Sequence, residues 1–261
     1  MILRKKIRRP LKKVKIIKRD PFGNIIFLKR ALIGALATVT YGRLNIVNKL
    51  KVEGTENLQD LPSTNVLFIS NHQTYFADVI AFYHIFASVK WKFKNSVNWP
   101  IYMLYPRVNT YYVAAEETMK SGLIPKLFSY TGAVTVRRSW RAGGQNVSRG
   151  ADIKAPQKIK QALEHGWVVN FPQGTTSPYA PVRKGTASMI KSYKPIVVPI
   201  VINGFRRAFD KKGLFFKKRG TVLTVKFKTP IQFNDDVTVE EINAAIIKAI
   251  EQGKNNDANL D

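Results

Sequence analysis

Six apolar runs, at residues 65–70, 110–114, 133–137, 167–171, 196–202 and 221–228, read as strands and set the grammar of this chain. Between them lie segments of helical period, near 77–88, 116–130, 156–165 and 238–252. Pro156 suits a first helical turn, Gly166 stands where the third helix should end, and Thr238 with Glu240 and Glu241 marks a helix start. Strands alternating with helices predict an α/β fold: a single domain whose central, mostly parallel or mixed sheet is flanked by helices. A length of 261 residues with 45% apolar content is ample for one such core. No internal repeat interrupts it. Residues 139–150 lack periodicity and read as a mobile loop, and 253–261 as a frayed tail.

Charge is the second constraint. Lys and Arg number 43 against 17 Asp and Glu, a formal charge of +26. Such a field attracts polyanions: nucleic acid, anionic lipid headgroups or an acidic carrier protein. Residues 1–30 hold twelve Lys or Arg and one acid, Asp20. Arg4, Lys5, Lys6, Arg8, Arg9, Lys12 and Lys13 are interleaved with Ile7, Leu11, Val14, Ile16 and Ile17. The apolar stretch behind them carries Phe27, Leu28 and Leu32, and residues 24–50 read as helical. A polybasic arm followed by an apolar helix predicts attachment to an anionic membrane surface, as against a merely solvated tail. Lys29 and Arg30 split the stretch below the ~20 residues of a spanning helix, and the basic region is too long for a signal peptide. The expected organisation is a basic arm and anchoring helix over 1–50, a catalytic domain over 51–252 and a tail. The expected location is the inner face of the cytoplasmic membrane, monotopic or peripheral. Cysteine is absent, so disulfides, thiolate metal sites and a cysteine nucleophile are excluded.

Two loops carry the chemistry. Ser70-Asn71-His72-Gln73-Thr74-Tyr75-Phe76-Ala77-Asp78 follows the first apolar core strand. A histidine with a nearby carboxylate is a compact general-base arrangement, the carboxylate fixing the tautomer. Phe171-Pro172-Gln173-Gly174-Thr175-Thr176-Ser177 follows a second apolar strand.

These blocks, with Gly132-Ala133-Val134-Thr135-Val136-Arg137-Arg138 and Val197-Val198-Pro199-Ile200 in the same order, resemble the glycerolipid acyltransferase family over roughly residues 52–230. Arg183-Lys184-Gly185 falls where that family often has Lys-Gly. The resemblance implies a membrane-bound enzyme that acylates a lysophospholipid. His72 would be the base, Asp78 its orienting acid, Arg138 the phosphate ligand, and Pro199 part of the acyl-donor side. The backbone at Gly174 would support an oxyanion, and Gln173 and Thr175 would face substrate, with Arg183 and Lys184 as further cations. No cofactor or metal is implied; the co-substrate is an acyl thioester of acyl carrier protein or coenzyme A.

The chain departs from the family twice. Five residues separate His72 from Asp78 where the family has four, a rotation of about 100° if a helix began at once. A bulge or late helix start restores the contact; otherwise Asp78 caps the helix and His72 acts with less support. Gln173 and Thr176 stand where the family has Glu and Arg, which opens a second acceptor class, a lyso-aminolipid or other phosphate-free lyso-lipid. His84 and His165 read as structural, the latter at a helix end. The aromatic stretch 91–112 reads as core and interfacial belt, or as the lining of an acyl groove. A nucleic-acid binder is disfavoured because no binding module shows. An inactive lipid-surface scaffold has only the one-residue offset behind it.

Overall fold

The computed structural model describes residues 17–137, 141–142, 145–146 and 152–253. Chain order runs α1 (Ile26–Asn45), β1 (Lys49–Glu53), β2 (Val66–Ser70), α2 (Ala77–Lys90) and β3 (Thr110–Ala115). Next come α3 (Glu116–Met119), α4 (Leu123–Ser129), β4 (Ala133–Val136), the short pair β5 (Arg141–Ala142) and β6 (Gln145–Asn146), and α5 (Ala155–His165). The rest is β7 (Trp167–Asn170), α6 (Lys184–Tyr193), β8 (Ile196–Asn203), α7 (Phe205–Ala208), β9 (Val222–Phe227) and α8 (Val239–Ala249).

One seven-stranded sheet has the order β1-β9-β8-β2-β7-β3-β4. The run from β8 to β4 is parallel; β9 pairs antiparallel to β8, and β1 lies parallel to β9. The sheet is therefore mostly parallel and mixed, as the alternation predicts. Every residue of β2 is buried, because helices cover both faces. Alternation along β2 sends Phe68 into a core with Phe86, Trp167 and Phe227, and Leu67 and Ile69 into the opposite core with Ile159, Ile190 and Ile246.

The six strands anticipated from the apolar runs are all present. Elsewhere the structure corrects the sequence reading. The helix expected over 116–130 is two short ones, broken before α4 at Gly122, a poor helix former. Lys49 and Leu50 belong to β1 rather than to the end of the first helix. Helix α6 was not anticipated: it opens on Lys184-Gly185-Thr186 and buries only Thr186, Ala187 and Ile190, too thin a periodic signal. The stretch expected to be a mobile loop contains the β5–β6 ladder. Gly166 ends α5 as expected, in an extended conformation; a Cβ there would lie 2.1 Å from the Asn109 carbonyl oxygen. Thr238 caps α8 through a reciprocal box with Glu241.

Helix α1 packs Ile33, Ala37 and Leu44 inward, while Phe27 and Leu28 are 73% and 58% exposed and Leu32 is half-buried. Lys29 does not divide a lipid-facing stretch. It is buried, 3.1 Å from Asp20 and 4.2 Å from the centre of the Tyr111 ring. Burial lowers its pKa and the Asp20 charge opposes that. Asp20 also accepts the N–H groups of Phe22 and Asn24, so the pair fixes the entry to α1. Arg4 to Lys13 and the tail from residue 254 lie outside the described residues. Among the described residues no helix is long and apolar enough to cross a membrane.

His84 joins α1 to α2. Its Nε2 lies 3.1 Å from the Thr40 hydroxyl and its Nδ1 3.0 Å from the Tyr102 hydroxyl. Burial pushes its pKa down to about 4 from 6.5. The unfolded chain therefore holds the extra proton between those pH values, and stability falls as pH drops through that window. Comparing thermal unfolding of the protein with that of His84→Gln should show the native chain losing up to about 3 kcal/mol more between pH 6.5 and 4. A constant difference between the two across that window would contradict the assignment.

Candidate active site

Strand pairing brings the two chemical loops together. Ile69, near the end of β2, is in register with Asn170 of β7 and Pro199 of β8. The chain after β2 and the chain after β7 therefore leave the sheet side by side at its carboxyl edge, where open parallel sheets bind ligands. Asn71 anchors the first loop. Its amide donates to the Ile202 carbonyl at 2.9 Å and accepts the Ile202 N–H at 2.8 Å, so a side chain extends the ladder.

His72 follows, with Nδ1 2.9 Å from Asp78 Oδ2. Helix α2 begins only at Ala77, so residues 73–76 form a turn that absorbs the extra residue. Asp78 is fully buried and accepts the Gln73 N–H at 2.7 Å, the Thr74 N–H at 3.1 Å and the Thr74 hydroxyl at 2.7 Å. One carboxylate thus closes the loop and holds the imidazole. The Phe171 ring stacks on His72 at 3.8 Å between centres and 20° between planes, which fixes the ring from below.

A segment from far along the chain completes the turn. The Tyr75 N–H donates to the Lys211 carbonyl and the Phe76 N–H to the Lys212 carbonyl, both at 3.0 Å. Gly213, at φ +80°, packs so closely that a Cβ would lie 2.6 Å from the Ala77 nitrogen. Sequence reasoning missed this brace, and no local pattern marks it.

The third block is more structural than anticipated. The Gly174 N–H donates to the Phe171 carbonyl at 2.9 Å, so it closes a turn and is not an open oxyanion donor. Gln173 is buried; its amide donates to the Ala180 carbonyl at 2.8 Å and the Gln252 side chain at 3.0 Å. Gln252 also accepts the Tyr179 N–H, so Gln173 locks the loop against the chain beyond α8. Lys184 points to solvent and pairs with Glu240 at 2.8 Å. Pro199 is buried within β8, one residue before its pairing with β9 begins. Arg138 lies outside the described residues.

What the fold does gather is a cleft of about 420 Å3 with His72 and Phe171 on its wall. Tyr112, Val79, Met119 and Ile159 give it an apolar lining, and Gly174, Thr175, Arg183 and Arg137 contribute polar or backbone surface. Arg137 donates to Glu116 at 3.2 Å. Arg206, not anticipated, links the two loops: its backbone N–H donates to the Gln73 side chain and its guanidinium to the Thr176 carbonyl at 2.6 Å. Burial lowers its pKa and the Asp78 charge opposes this. Among the described residues no three His, Asp or Glu side chains are grouped to hold a metal.

The family model for acyltransferases matches residues 49–203, more than half of the chain, including the His72 and Phe171 loops but not the 211–213 brace. The chain belongs to the acyltransferase family, which bears out the resemblance of its four blocks. No curated protein matches it. Its fold is similar to that of the 1-acyl-sn-glycerophosphate (LPA) acyltransferase PlsC from Thermotoga maritima. The two are 18% identical with a TM-score of 0.51, over 87% of this chain and 77% of that one.

Gly213→Ala tests the brace. The added methyl must displace either the 211–213 segment or the start of α2, so a loss of about 1–3 kcal/mol is expected. Turnover below the melting temperature should fall at least tenfold with little change in KM, because the displaced atoms hold the His72 loop. Wild-type kcat in a normally folded variant would show that the brace does not position the site.

Proposed function

We propose that this chain is a membrane-associated O-acyltransferase that moves a fatty acyl group from a thioester to the free hydroxyl of a lysophospholipid, 1-acylglycerol-3-phosphate in the first place. The observation that carries the reading is the His72–Asp78 contact on the wall of the cleft. Asp78 accepts a hydrogen bond from the Nδ1–H, which leaves the Nε2 lone pair for substrate. His72 then removes the acceptor hydroxyl proton as the oxygen attacks the thioester carbonyl. The tetrahedral intermediate collapses, the C–S bond breaks, and the thiolate leaves with the proton from His72. Phosphatidate and a free thiol result, and no acyl-enzyme is needed.

The thioester is carried by acyl carrier protein or coenzyme A. The apolar lining offers room for an acyl chain, and Arg137 and Arg183 for phosphate, with Arg138 adjoining in sequence. The exposed Phe27 and Leu28 and the basic arm before them support attachment to the inner face of an anionic cytoplasmic membrane. A second reading follows from Gln173 and Thr176: both are buried and neutral, so the third block supplies no charge for a phosphate, and a lyso-aminolipid would fit it equally.

The test offers both acceptors, with both thioesters, to the full chain in anionic vesicles. Phosphate-selective turnover is expected, falling about 100- to 10,000-fold in His72→Ala. Undiminished turnover in that variant would refute the mechanism, and product from the phosphate-free acceptor alone would select the second reading.

A further inference from the structure

Segment 206–219 carries seven Lys or Arg and a single acid, Asp210. That acid does not neutralise them. Its carboxylate accepts the N–H groups of Leu214 at 2.7 Å and Phe215 at 2.9 Å. Burial raises its pKa, but these and two further backbone donors outweigh that and hold it below the usual carboxylate range. Lys211, Lys212, Lys217, Lys218 and Arg219 are all exposed, and among the described residues none of them forms an ion pair.

The segment is also built. Phe209 and Phe216 face each other across an antiparallel bridge, their rings 5.5 Å apart. The Arg43 guanidinium of α1 lies 4.6 Å from the centre of the Phe216 ring, which ties the loop to the first helix. Phe215, the other aromatic at the tip, is 71% exposed. Beside the loop runs an apolar groove of about 350 Å3, lined by Leu32, Leu36 and Val39 of α1, Ile124 and Leu127 of α4, and Leu214. Val39 is 74% exposed and Leu123, at the start of α4, 81%. The loop that carries these cations therefore also lends Leu214 to an apolar groove assembled from three distant parts of the chain.

We propose that loop 206–219 is a second lipid-docking surface, in which Phe215 enters an anionic bilayer and Lys217, Lys218 and Arg219 hold its headgroups. Charge alone would suit any polyanion. An exposed aromatic tip on a cationic loop, with an apolar groove at its side, suits the boundary between headgroups and acyl chains. The loop is preformed, so docking orders little new chain. Its inner side is the brace of the His72 loop, through the Lys211 and Lys212 carbonyls, so the lipid contact is made on the element that holds the active site. The inference goes beyond the acyltransfer reading and takes from it only that the chain works at a lipid surface.

The chain has no cysteine, so Phe215→Cys accepts a single environment-sensitive fluorophore. The labelled full chain is mixed with phosphatidylcholine vesicles, with and without phosphatidylglycerol. A blue shift with phosphatidylglycerol, quenched by lipids spin-labelled in the acyl chains, is expected. A variant combining Lys217→Gln, Lys218→Gln and Arg219→Gln, melting like the native chain, should need about a hundredfold more vesicle lipid for half-binding. Unshifted emission while the protein still sediments with vesicles would overturn the inference, since the N-terminal arm would then act alone. So would a shift produced by acyl carrier protein or DNA but not by vesicles. Turnover is scored separately: penetration without acyl transfer would fail the proposed function and leave the docking surface standing.

Discussion

The parallel ladder of β7, β2 and β8 is the constraint on which the rest of the molecule depends. Hydrogen bonding in register puts Ile69 opposite both Asn170 and Pro199. The residues that follow β2 and β7 are thereby made neighbours, close enough for His72 and Phe171 to stack. Burial of β2 on both faces specifies the sheet, and the sheet sets Phe171 beneath His72. Slipping this register by one residue would reverse every side chain of β2 and separate the histidine from its aromatic support.

Within that frame Asp78 serves several donors with one carboxylate. Three donors from the turn and one imidazole nitrogen converge on it in a site closed to water. A hydrogen bond that fixes an imidazole gains from such crowding, because the acceptor itself cannot move. The turn of residues 73–76 is one residue longer than the family pattern, and its backbone would be short of partners on its own. The carbonyls of Lys211 and Lys212 supply them. Arg206 adds a further tie between the first and third loops.

The sequence made the strands legible because each is an apolar run bounded by polar turns, and the helices legible where a wide face is buried. Helix α6 buries a narrow stripe and starts on poor helix formers, so periodicity alone could not find it. The His72 and Phe171 loops were legible from residue types and order. The contact between His72 and Asp78 was not decided by spacing, because it depends on where α2 starts and on a brace some 130 residues away. Gly213 and Arg206 carry no local signature at all. Gln173 was read as facing substrate and the Gly174 backbone as an oxyanion support, yet the Gln173 amide and the Gly174 N–H both bond within the protein. Lys29 was read as a cation interrupting an apolar face; its partner Asp20 lies nine residues earlier, outside any helical spacing.

The proposed mechanism turns on the proton of His72. With the Nδ1–H donating to Asp78, a neutral ring carries its lone pair on Nε2, as the proposed base role requires. Nitrogen-15 NMR of histidine-labelled protein, with His72→Gln used to assign the signal, reads that tautomer directly. An Nδ1–H imidazole is expected in the native chain, losing its single tautomer in Asp78→Ala. A native ring protonated at Nε2, with Nδ1 bare, would contradict it.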